Sequence, residues 1–308
     1  MGAQPPTRVR RVGVLSQGSA STHPTPVFQA FQHGLHELGW LEGQNLAIEW
    51  RFSEGSAEPL SRLAAELVRM PVDVIVASPT RPALAAKEAT GTVPVVFIQV
   101  ADPIGAGIVT NLARPGANVT GLSSMSADFG GKRLELLKEA LPAAARVAVL
   151  WNRPSQGSIF VFRAMELASR QIGVELQDVG ISDPNELRGA IRTAARARAD
   201  AIMVLDDPVI VSYREQIVPL AAENALPIFS EYPDYADDGG LMAFGPNTAE
   251  IYHRGAIYVD RILKGAKPSD LPVEQPARFE LVVNLKAAKA LSLELAPTLV
   301  ARADRVIE

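Results

Sequence analysis

Two runs of apolar, largely β-branched residues lie near each other in the chain and are separated by a segment of helical length. The first run covers Val72–Ala77, the second covers Pro94–Val100, and Pro82–Thr90 between them has the pattern of a helix. Parallel neighbours in a sheet need a connection about as long as a helix, and these helices cover both faces of the sheet. Strands that are apolar on both faces are therefore typical of a buried parallel sheet. The feature therefore predicts an α/β fold built on parallel strands.

The same order of apolar strand, polar loop and helix recurs in two series, which separate near Gly121–Met125. A chain of 308 residues is long enough for two domains of about 150 residues each. The strands predicted for the second series are Val147–Leu150, Glu175–Val179, Ala201–Leu205 and Pro227–Phe229. Towards the C-terminus, the sequence predicts a loop at Pro233–Gly240 and a closing helix at Ala296–Val306.

The composition excludes several classes of function. The net charge of −4 gives no general attraction to nucleic acid or to anionic lipid, so neither is an expected partner. The absence of cysteine excludes disulfides, thiolate metal sites and cysteine nucleophiles. No apolar stretch is long enough to span a bilayer.

The cluster of Arg8, Arg10 and Arg11 near the N-terminus is interpreted as a solvated chain end. Met1–Gln4, ahead of two prolines, is interpreted as an added start on a trimmed mature N-terminus.

Motifs of the common enzyme classes are not matched. Gly105–Gly107 follows a strand, but Thr110 stands where a dinucleotide fingerprint requires glycine, so a plain turn is predicted. Gly130–Lys132 lacks the upstream glycine of a phosphate-binding loop. His33 and His36 share a predicted helix face, but no further ligands are spaced nearby, so a surface role is expected. The sequence therefore predicts no catalytic residue, no cofactor and no metal site.

The pair Asp206-Asp207 follows a predicted strand and allows three interpretations. The two carboxylates could hold a metal or act in acid–base catalysis. One of them could instead cap the helix that begins at Pro208. A third interpretation is that one carboxylate fixes the ammonium group of a ligand.

Polar residues at the strand ends form the best candidate site, because open parallel sheets bind ligands beyond the carboxyl ends of their strands. Hydroxyls where helices begin are suited to a carboxylate, since free N–H groups and the helix dipole both favour anions. The hydroxyl set is Ser78, Thr80, Ser123 and Ser124. Carboxylates at other strand ends are suited to an ammonium group, and this set is Asp102, Asp206 and Glu231. Aromatic residues that could line an apolar pocket are Trp151, Tyr232, Tyr235 and Phe129.

The candidate ligand-binding set is completed by other residues at the same strand ends, namely Ser16, Gln17, Pro79, Gln99, Met125, Asn152 and Ser230. Serine and threonine cap helices in many proteins, so each residue alone is weak evidence for a site. The collection is more informative, because both series of strands end in polar residues.

Several longer motifs resemble the ABC-transporter substrate-binding proteins of the family that includes tryptophan- and tyrosine-type binding proteins. The similarity covers nearly the whole chain. The matching segments are Gly34–Trp40, Glu42–Asn45, Val72–Ala77, Leu112–Gly121, Gly131–Glu139, Ile262–Pro268, Leu271–Pro276 and Ala301–Asp304. The first strand end, Ser16-Gln17-Gly18, departs from the form associated with aromatic amino-acid binders. The identity of the ligand therefore does not carry over from the resemblance.

The resemblance implies a type I periplasmic-binding fold, in which two Rossmann-like lobes with parallel sheets are joined by three crossovers and hold a ligand in the cleft. The crossovers are expected at Gly121–Met125, Ser230–Asp234 and near Pro276–Phe279. The N-terminal lobe would comprise residues 8–122 and 235–276, and the C-terminal lobe residues 123–234 and 277–308. The resemblance also implies export, and members of the family are either free or lipid-anchored. Because this sequence has no cysteine, a free periplasmic protein with its signal peptide removed is expected.

The expected function is therefore that of the periplasmic component of an ABC importer, which captures a small solute by hinge closure. An amino acid or a related carboxylate is the expected ligand, and the expected partners are the permease and ATPase subunits of the importer. Two alternatives remain open, namely the ligand-sensing core of a regulator or receptor, and an α/β enzyme that uses Asp206 and Asp207. A DNA-binding domain in a longer gene product would favour the regulator, and turnover of the ligand would favour the enzyme.

Overall fold

The computed structural model describes residues 9–56 and 58–308. Arg8 and the predicted added start at Met1–Gln4 lie outside the described residues. The chain divides into two compact units. Unit 1 contains the chain up to Ser124 together with Thr248–Pro276, and unit 2 contains Met125–Asn247 and Ala277–Glu308.

The strands of both units follow the apolar runs of the sequence closely. They are β1 (Arg10–Ser16), β2 (Leu46–Phe52), β3 (Val74–Ser78), β4 (Val95–Val100), β5 (Val119–Ser123), β6 (Arg146–Leu150), β7 (Glu175–Asp178), β8 (Ala201–Val204), β9 (Ile228–Ser230), β10 (Met242–Pro246), β11 (Phe279–Asn284) and β12 (Arg305–Ile307).

The helices occupy most of the segments between the strands. They are α1 (Pro26–Glu37), α2 (Leu60–Arg69), α3 (Thr80–Ala89), α4 (Gly130–Ala140), α5 (Gln156–Ile172), α6 (Leu187–Arg196), α7 (Pro208–Ser212), α8 (Arg214–Glu223), α9 (Asp234–Asp237), α10 (Thr248–Leu263), α11 (Leu285–Ala290) and α12 (Pro297–Ala301). Short 3₁₀ turns lie at Ala20–Thr22, Pro184–Glu186 and Pro268–Asp270. No helix within residues 9–56 and 58–308 combines the length and hydropathy that crossing a membrane requires.

Unit 1 contains a five-stranded sheet with the order β2-β1-β3-β4-β5, and every neighbouring pair is parallel. Every residue of β3 is buried, as the apolar run predicts. Helices α1 and α10 cover one face of the sheet, with Phe31, Leu35 and Ile251 in the shared core. Helices α2 and α3 belong to the core on the other face, where Leu63 and Leu67 of α2 project at helical spacing.

Unit 2 contains a seven-stranded sheet with the order β12-β11-β10-β9-β8-β6-β7. Strands β10 and β11 are antiparallel, and every other neighbouring pair of this sheet is parallel. The sheet is therefore mainly parallel, as the sequence predicts. One core of the unit joins the sheet to α6 and α8, and it includes Leu187, Ile191, Ile217 and Leu220. Strand β11 is the first strand after the chain returns from unit 1 to unit 2.

Three local predictions differ from the structure. Strand β10 pairs with β9 and β11, which keeps residues 235–247 in unit 2. The chain therefore passes to unit 1 between Asn247 and Thr248, and not at Ser230–Asp234 as predicted. The predicted loop at Pro233–Gly240 contains the short helix α9, and the predicted closing helix ends at Ala301 and is followed by β12. These elements are short, and pairing with the rest of the sheet decides their conformation more than local sequence does.

The motif Leu112–Gly121, which contributes to the family resemblance, has a structural role in unit 1. The amide of Asn118 donates hydrogen bonds to the Thr90 and Val93 carbonyls at 3.1 and 2.7 Å. The Thr120 hydroxyl donates to the Leu271 carbonyl at 2.7 Å. A Cβ at Gly121 would lie 2.0 Å from the Phe97 carbonyl oxygen, so only glycine allows β4 and β5 to approach so closely.

Replacement of Gly121 by alanine is expected to destabilise the protein, because the new Cβ collides with backbone atoms that cannot rotate away. The free energy of unfolding should fall by about 2 kcal/mol or more, as measured by denaturant unfolding. Gly91→Ala is the matched control, since nothing lies within 4 Å of a Cβ at that position. A Gly121→Ala variant as stable as Gly91→Ala would contradict the close approach of the two strands.

Candidate functional site

The predicted site residues of unit 1 lie along one edge of its sheet. Ser16 and Gln17 end β1, Ser78 ends β3, and Ser123 ends β5. Because all neighbouring strands are parallel, these ends meet at the same edge. The unit 1 part of the predicted site is therefore brought together, and these four side chains are almost completely buried, with Gln17 and Ser78 each 1% exposed.

Several hydroxyls at this edge already have protein partners. The Ser78 hydroxyl lies 2.5 Å from the hydroxyl of Tyr252 on α10. The Ser123 hydroxyl donates to the Val100 carbonyl at 3.0 Å, and the backbone N–H of Ser124 donates to the same carbonyl at 2.9 Å. Their first role is thus to join neighbouring strand ends. Sequence analysis missed Tyr252, because no local signal links a tyrosine of α10 to a serine so far away in the chain.

Gln17 lies in a corner formed by the ends of β1, β2 and β3. Its N–H donates to the Ser78 carbonyl at 3.3 Å, and its carbonyl accepts from Gly55 N–H at 2.8 Å. The N–H of Ser53, just after β2, donates to the Ser16 carbonyl at 3.0 Å. The Gln17 Nε2 and the Ser53 hydroxyl are buried and have no hydrogen-bond partner among the described residues. Buried polar groups are rarely left unsatisfied in proteins, so this corner is a candidate for ligand contact.

The remaining predicted residues of unit 1 lie at the ends of β3 and β4. Pro79 precedes α3, and Thr80 is its first residue. The Thr80 hydroxyl accepts a hydrogen bond from the Ala101 N–H at 3.5 Å. Gln99 has a φ of +62°, which is uncommon for a residue other than glycine and marks an irregularity where β4 ends. The Asp102 carboxylate accepts a hydrogen bond from Gly105 N–H at 2.7 Å, so it stabilises the turn that follows β4.

In unit 2, two aromatic residues of the predicted pocket have partners within the unit. The Trp151 ring is 8% exposed and stacks on Phe162 with ring centroids 4.9 Å apart. The Trp151 indole N–H donates to Asp178 at 2.8 Å, towards the edge strand β7. Tyr235 is 1% exposed and belongs to the core beside α6 and α8. Both rings are buried against other residues of unit 2, which leaves little of their surface accessible to a ligand.

Two aromatic residues of the predicted set remain half-buried. Phe129 stacks on Phe279 with ring centroids 3.9 Å apart. Tyr232 packs against the edge of the same core as Tyr235 and donates its N–H to the Ser230 hydroxyl at 3.0 Å. Tyr232 is therefore the better candidate of the two for contact with a ligand, because it follows directly after the end of β9.

Asn152 and Asp207 form a buried pair where β6 and β8 end. The Asn152 amide donates to Asp207 at 2.9 Å, and Asp207 also accepts the N–H of Val209 at 2.9 Å. Asp207 is thus the N-cap of α7, which confirms the capping interpretation. Burial raises the pKa of the Asp207 carboxyl above its usual range, although hydrogen bonds from Ser155, Asn152 and Val209 oppose the shift. Its neighbour Asp206 is half-buried, at the end of β8.

Glu231 belongs to an ion pair that sequence analysis missed. Its Oε1 lies 3.0 Å from Arg133 Nη2, with the two side chains 3% and 2% exposed, and it also accepts the Ser126 hydroxyl. Arg133 donates further hydrogen bonds to the Phe244 and Ser126 carbonyls, both at 2.9 Å. The Oε2 of Glu231 has no hydrogen-bond partner among the described residues, so it is the oxygen to which the predicted contact with an ammonium group applies. The only signal for Arg133 was its place in the motif Gly131–Glu139.

Met125 and Ser230 complete the predicted set. Met125 has a φ of +55° and is half-buried at the first residue of unit 2. The Ser230 hydroxyl is buried and lies 3.4 Å from the Val204 carbonyl, so it joins the ends of β8 and β9. The predicted surface role of His33 and His36 is confirmed, since both are exposed on α1 and His33 pairs with Glu37 at 3.0 Å.

The chain matches a known protein family over most of its length. The family described as ABC transporter substrate binding protein matches residues 23–307 of the chain. The chain belongs to this family of ABC transporter substrate-binding proteins. The match confirms the resemblance that the motifs indicate, and it covers both units of the structure.

Three known proteins are similar to this chain over most of its length. The tyrosine-binding protein of Clostridioides difficile is 28% identical over 86% of this chain and 76% of its own length. The crystal structure of a conserved domain protein from Vibrio cholerae is 28% identical, with a TM-score of 0.90 and coverage of 97% and 100%. The ABC domain from Streptococcus pneumoniae in complex with L-Trp is 26% identical, with a TM-score of 0.86 and coverage of 97% and 99%. The fold of this substrate-binding protein is the predicted type I periplasmic-binding fold.

Replacement of Arg133 by methionine is expected to lower the stability of this substrate-binding protein. The change leaves the Glu231 carboxylate buried without its cation, a loss worth about 3–5 kcal/mol in other proteins. Denaturant unfolding measures the effect, and Lys132→Met on the same helix is the control because Lys132 is exposed. Lys132→Met should stay within about 0.5 kcal/mol of the wild type. Equal unfolding midpoints for both variants would show that the pair does not hold these segments together.

Asp207 is expected to make the stability depend on pH. Its pKa is raised in the folded state, so the folded state retains the proton to a higher pH than the unfolded state. The resulting stabilisation is present below the usual aspartate pKa and is lost as the pH rises through the raised value. Asp207→Asn retains an oxygen that caps α7 but does not titrate. Its stability relative to the wild type should therefore increase as the pH rises from about 4 to 7.

An opposite dependence is expected for the control variant Asp237→Asn. The Arg305 guanidinium hydrogen-bonded to Asp237 holds the pKa of that carboxyl below its usual range. This stabilisation is present above the usual aspartate pKa and is lost as the pH falls, so Asp237→Asn should lose relative stability as the pH rises. Urea unfolding at a series of pH values measures both trends. A flat difference for Asp207→Asn would mean that its carboxyl titrates alike in both states.

Proposed function

We propose that the protein captures an amino acid or a related carboxylate and delivers it to an ABC importer. The observation that carries the proposal is the similarity to relatives whose names and complexes specify tyrosine and tryptophan. At 26–28% identity these relatives support the class of solute rather than one member of it. The departure at Ser16-Gln17-Gly18 is the reason to test a wider panel than the aromatic amino acids.

Each unit has buried polar atoms without a hydrogen-bond partner, here called open atoms, near its strand ends. Their chemistry is suited to the charged groups of an amino acid. In unit 1, the open atoms at the strand ends include the amide Nε2 of Gln17 and the Nε of Arg81, both hydrogen-bond donors. In unit 2, the open atoms at the strand ends include the carboxylate Oε2 of Glu231. Donors complement a carboxylate and a carboxylate complements an ammonium, which is the pairing that an amino acid offers.

Capture follows from the fold family. Periplasmic binding proteins enclose a ligand by hinge closure of their two domains, so the proposed mechanism needs no covalent chemistry. We further propose that the protein is exported to the periplasm and hands its solute to the permease and ATPase subunits of the importer. The enzyme alternative loses its main support, because Asp207 caps a helix and is bonded to Asn152.

A panel of amino acids and organic acids is expected to contain compounds that raise the melting temperature of the purified protein. Ligand at a hundred times its dissociation constant adds about 2.7 kcal/mol to the free energy of unfolding. Differential scanning fluorimetry detects the shift, and mass spectrometry of solute released by denaturation identifies what copurifies. The amino-acid proposal should be abandoned if no panel member stabilises the protein and the released solute is not a carboxylate.

We further propose that the half-buried Asp206, which follows β8, contacts the ammonium group of the solute, as the sequence predicts. Asp206→Asn is then expected to weaken binding of an amino acid by about tenfold or more, since a hydrogen bond to a charged group is worth about 1.5–3 kcal/mol. Glu223→Gln is the matched control, because Glu223 is an exposed carboxylate on α8 of the same unit. Isothermal titration calorimetry measures both affinities. Turnover of the bound solute by the wild type, abolished in Asp206→Asn, would restore the enzyme alternative.

A further inference from the structure

Arg81 is a cation that no described residue neutralises. It is the second residue of α3 and is half-buried, with its Nε buried and without a hydrogen-bond partner in the described part of the chain. The positive end of a helix dipole opposes a cation in the first turn, and burial of an unpaired charge adds to the cost. An arginine in this position is destabilising unless an anion joins it.

Other groups around the start of α3 are also suited to an anion. Pro79, which precedes the helix, makes no side-chain capping hydrogen bond, so the first N–H groups of α3 lack a side-chain cap. The Thr80 hydroxyl accepts from Ala101 N–H at 3.5 Å, which leaves its own proton free to donate. Gln17 is held beside this helix start by the hydrogen bond from its N–H to the Ser78 carbonyl, and its Nε2 is buried without a partner.

The carboxylates at neighbouring strand ends are already committed to other groups. The oxygens of Glu54 accept the Ser19 hydroxyl and the Ala20 N–H, which also hold the pKa of this carboxyl below its usual range. The Asp102 carboxylate accepts Gly105 N–H. Neither acid forms an ion pair with Arg81. The start of α3 therefore presents an excess of donors, which a carboxylate from outside the chain would complement.

We infer that Arg81, together with Gln17 and the N-terminus of α3, forms an anion subsite that makes a carboxylate group obligatory in the solute. The inference rests on the proposed function and adds the residue that determines specificity. A guanidinium binds a carboxylate through two parallel hydrogen bonds, and the helix N-terminus and the Gln17 amide supply further donors. An amine or amide that lacks the negative charge would leave the half-buried Arg81 unpaired, so the subsite discriminates against it.

The experiment compares acids with matched compounds that lack the negative charge. The probes are L-tyrosine and L-tryptophan, their decarboxylated amines tyramine and tryptamine, and L-tyrosinamide. Affinities are measured by titration calorimetry for the wild type, Arg81→Gln and the control Arg62→Gln, which removes an exposed arginine of α2. Arg81→Gln should weaken binding of the acid at least tenfold and leave binding of the amine and amide unchanged. Arg62→Gln should behave like the wild type.

A second measurement separates ligand recognition from a structural role. Without ligand, Arg81→Gln should be as stable as the wild type or more stable, because the variant removes an unpaired cation from a helix start. A less stable unliganded variant, or an unchanged ratio of acid to amide affinity, overturns the inference and leaves the proposed function intact. A wild type that binds none of the probes and releases no anion on denaturation overturns both together.

Discussion

The burial of both faces of the central strands is the constraint on which the rest of the structure depends. Residues of β3 and β4 such as Val76, Phe97 and Ile98 are wholly inaccessible, because helices cover each side of the sheet in unit 1. Such strands cannot carry unpaired polar side chains along their length, since each would lose its hydrogen bonds to water. Polar chemistry is therefore displaced to the ends of the strands, where backbone carbonyls, hydroxyls and helix starts meet. The location of the candidate site is a consequence of how the sheets are buried.

Within those ends, the hydrogen-bond partners separate structural residues from candidates for ligand contact. Ser78, Ser123 and Ser230 have the residue type of ligand donors, but each contacts a tyrosine hydroxyl or a carbonyl of a neighbouring strand. Gln17 is the opposite case, since its backbone is held on both sides while its amide Nε2 is buried and open. A buried open donor costs free energy in the unliganded protein. A ligand that accepts this hydrogen bond removes the cost. A buried polar atom without a partner is therefore stronger evidence for ligand contact than the residue type alone.

The fold could be predicted from the sequence because burial sets the apolar periodicity of long strands and helices, and this periodicity is visible in the sequence. Strands β3 and β4 agree with their predicted patterns for this reason. Short elements such as β12 and α9 form through contacts with residues that are distant in the sequence, and no local sequence pattern predicts them. The same limit applies to side chains at the site. Trp151 was predicted as a pocket wall from its size, but its actual partners, Phe162 and Asp178, lie well away from it in sequence.

The motifs that reveal the family and the residues that would select the ligand occupy different parts of the chain. Asn118, Thr120 and Gly121 fix the approach of β4 to β5 and the course of the backbone around them. Arg133 in the motif of α4 joins three segments of unit 2 through its guanidinium. Gln17 and Arg81, in contrast, lie outside the matching motifs, and the Nε2 of Gln17 and the Nε of Arg81 have no hydrogen-bond partner among the described residues. A frame held by one set of residues leaves the other set free to change with the solute. The family can therefore be recognised from sequence while its ligand cannot, and the open groups of the structure are where the ligand must be sought.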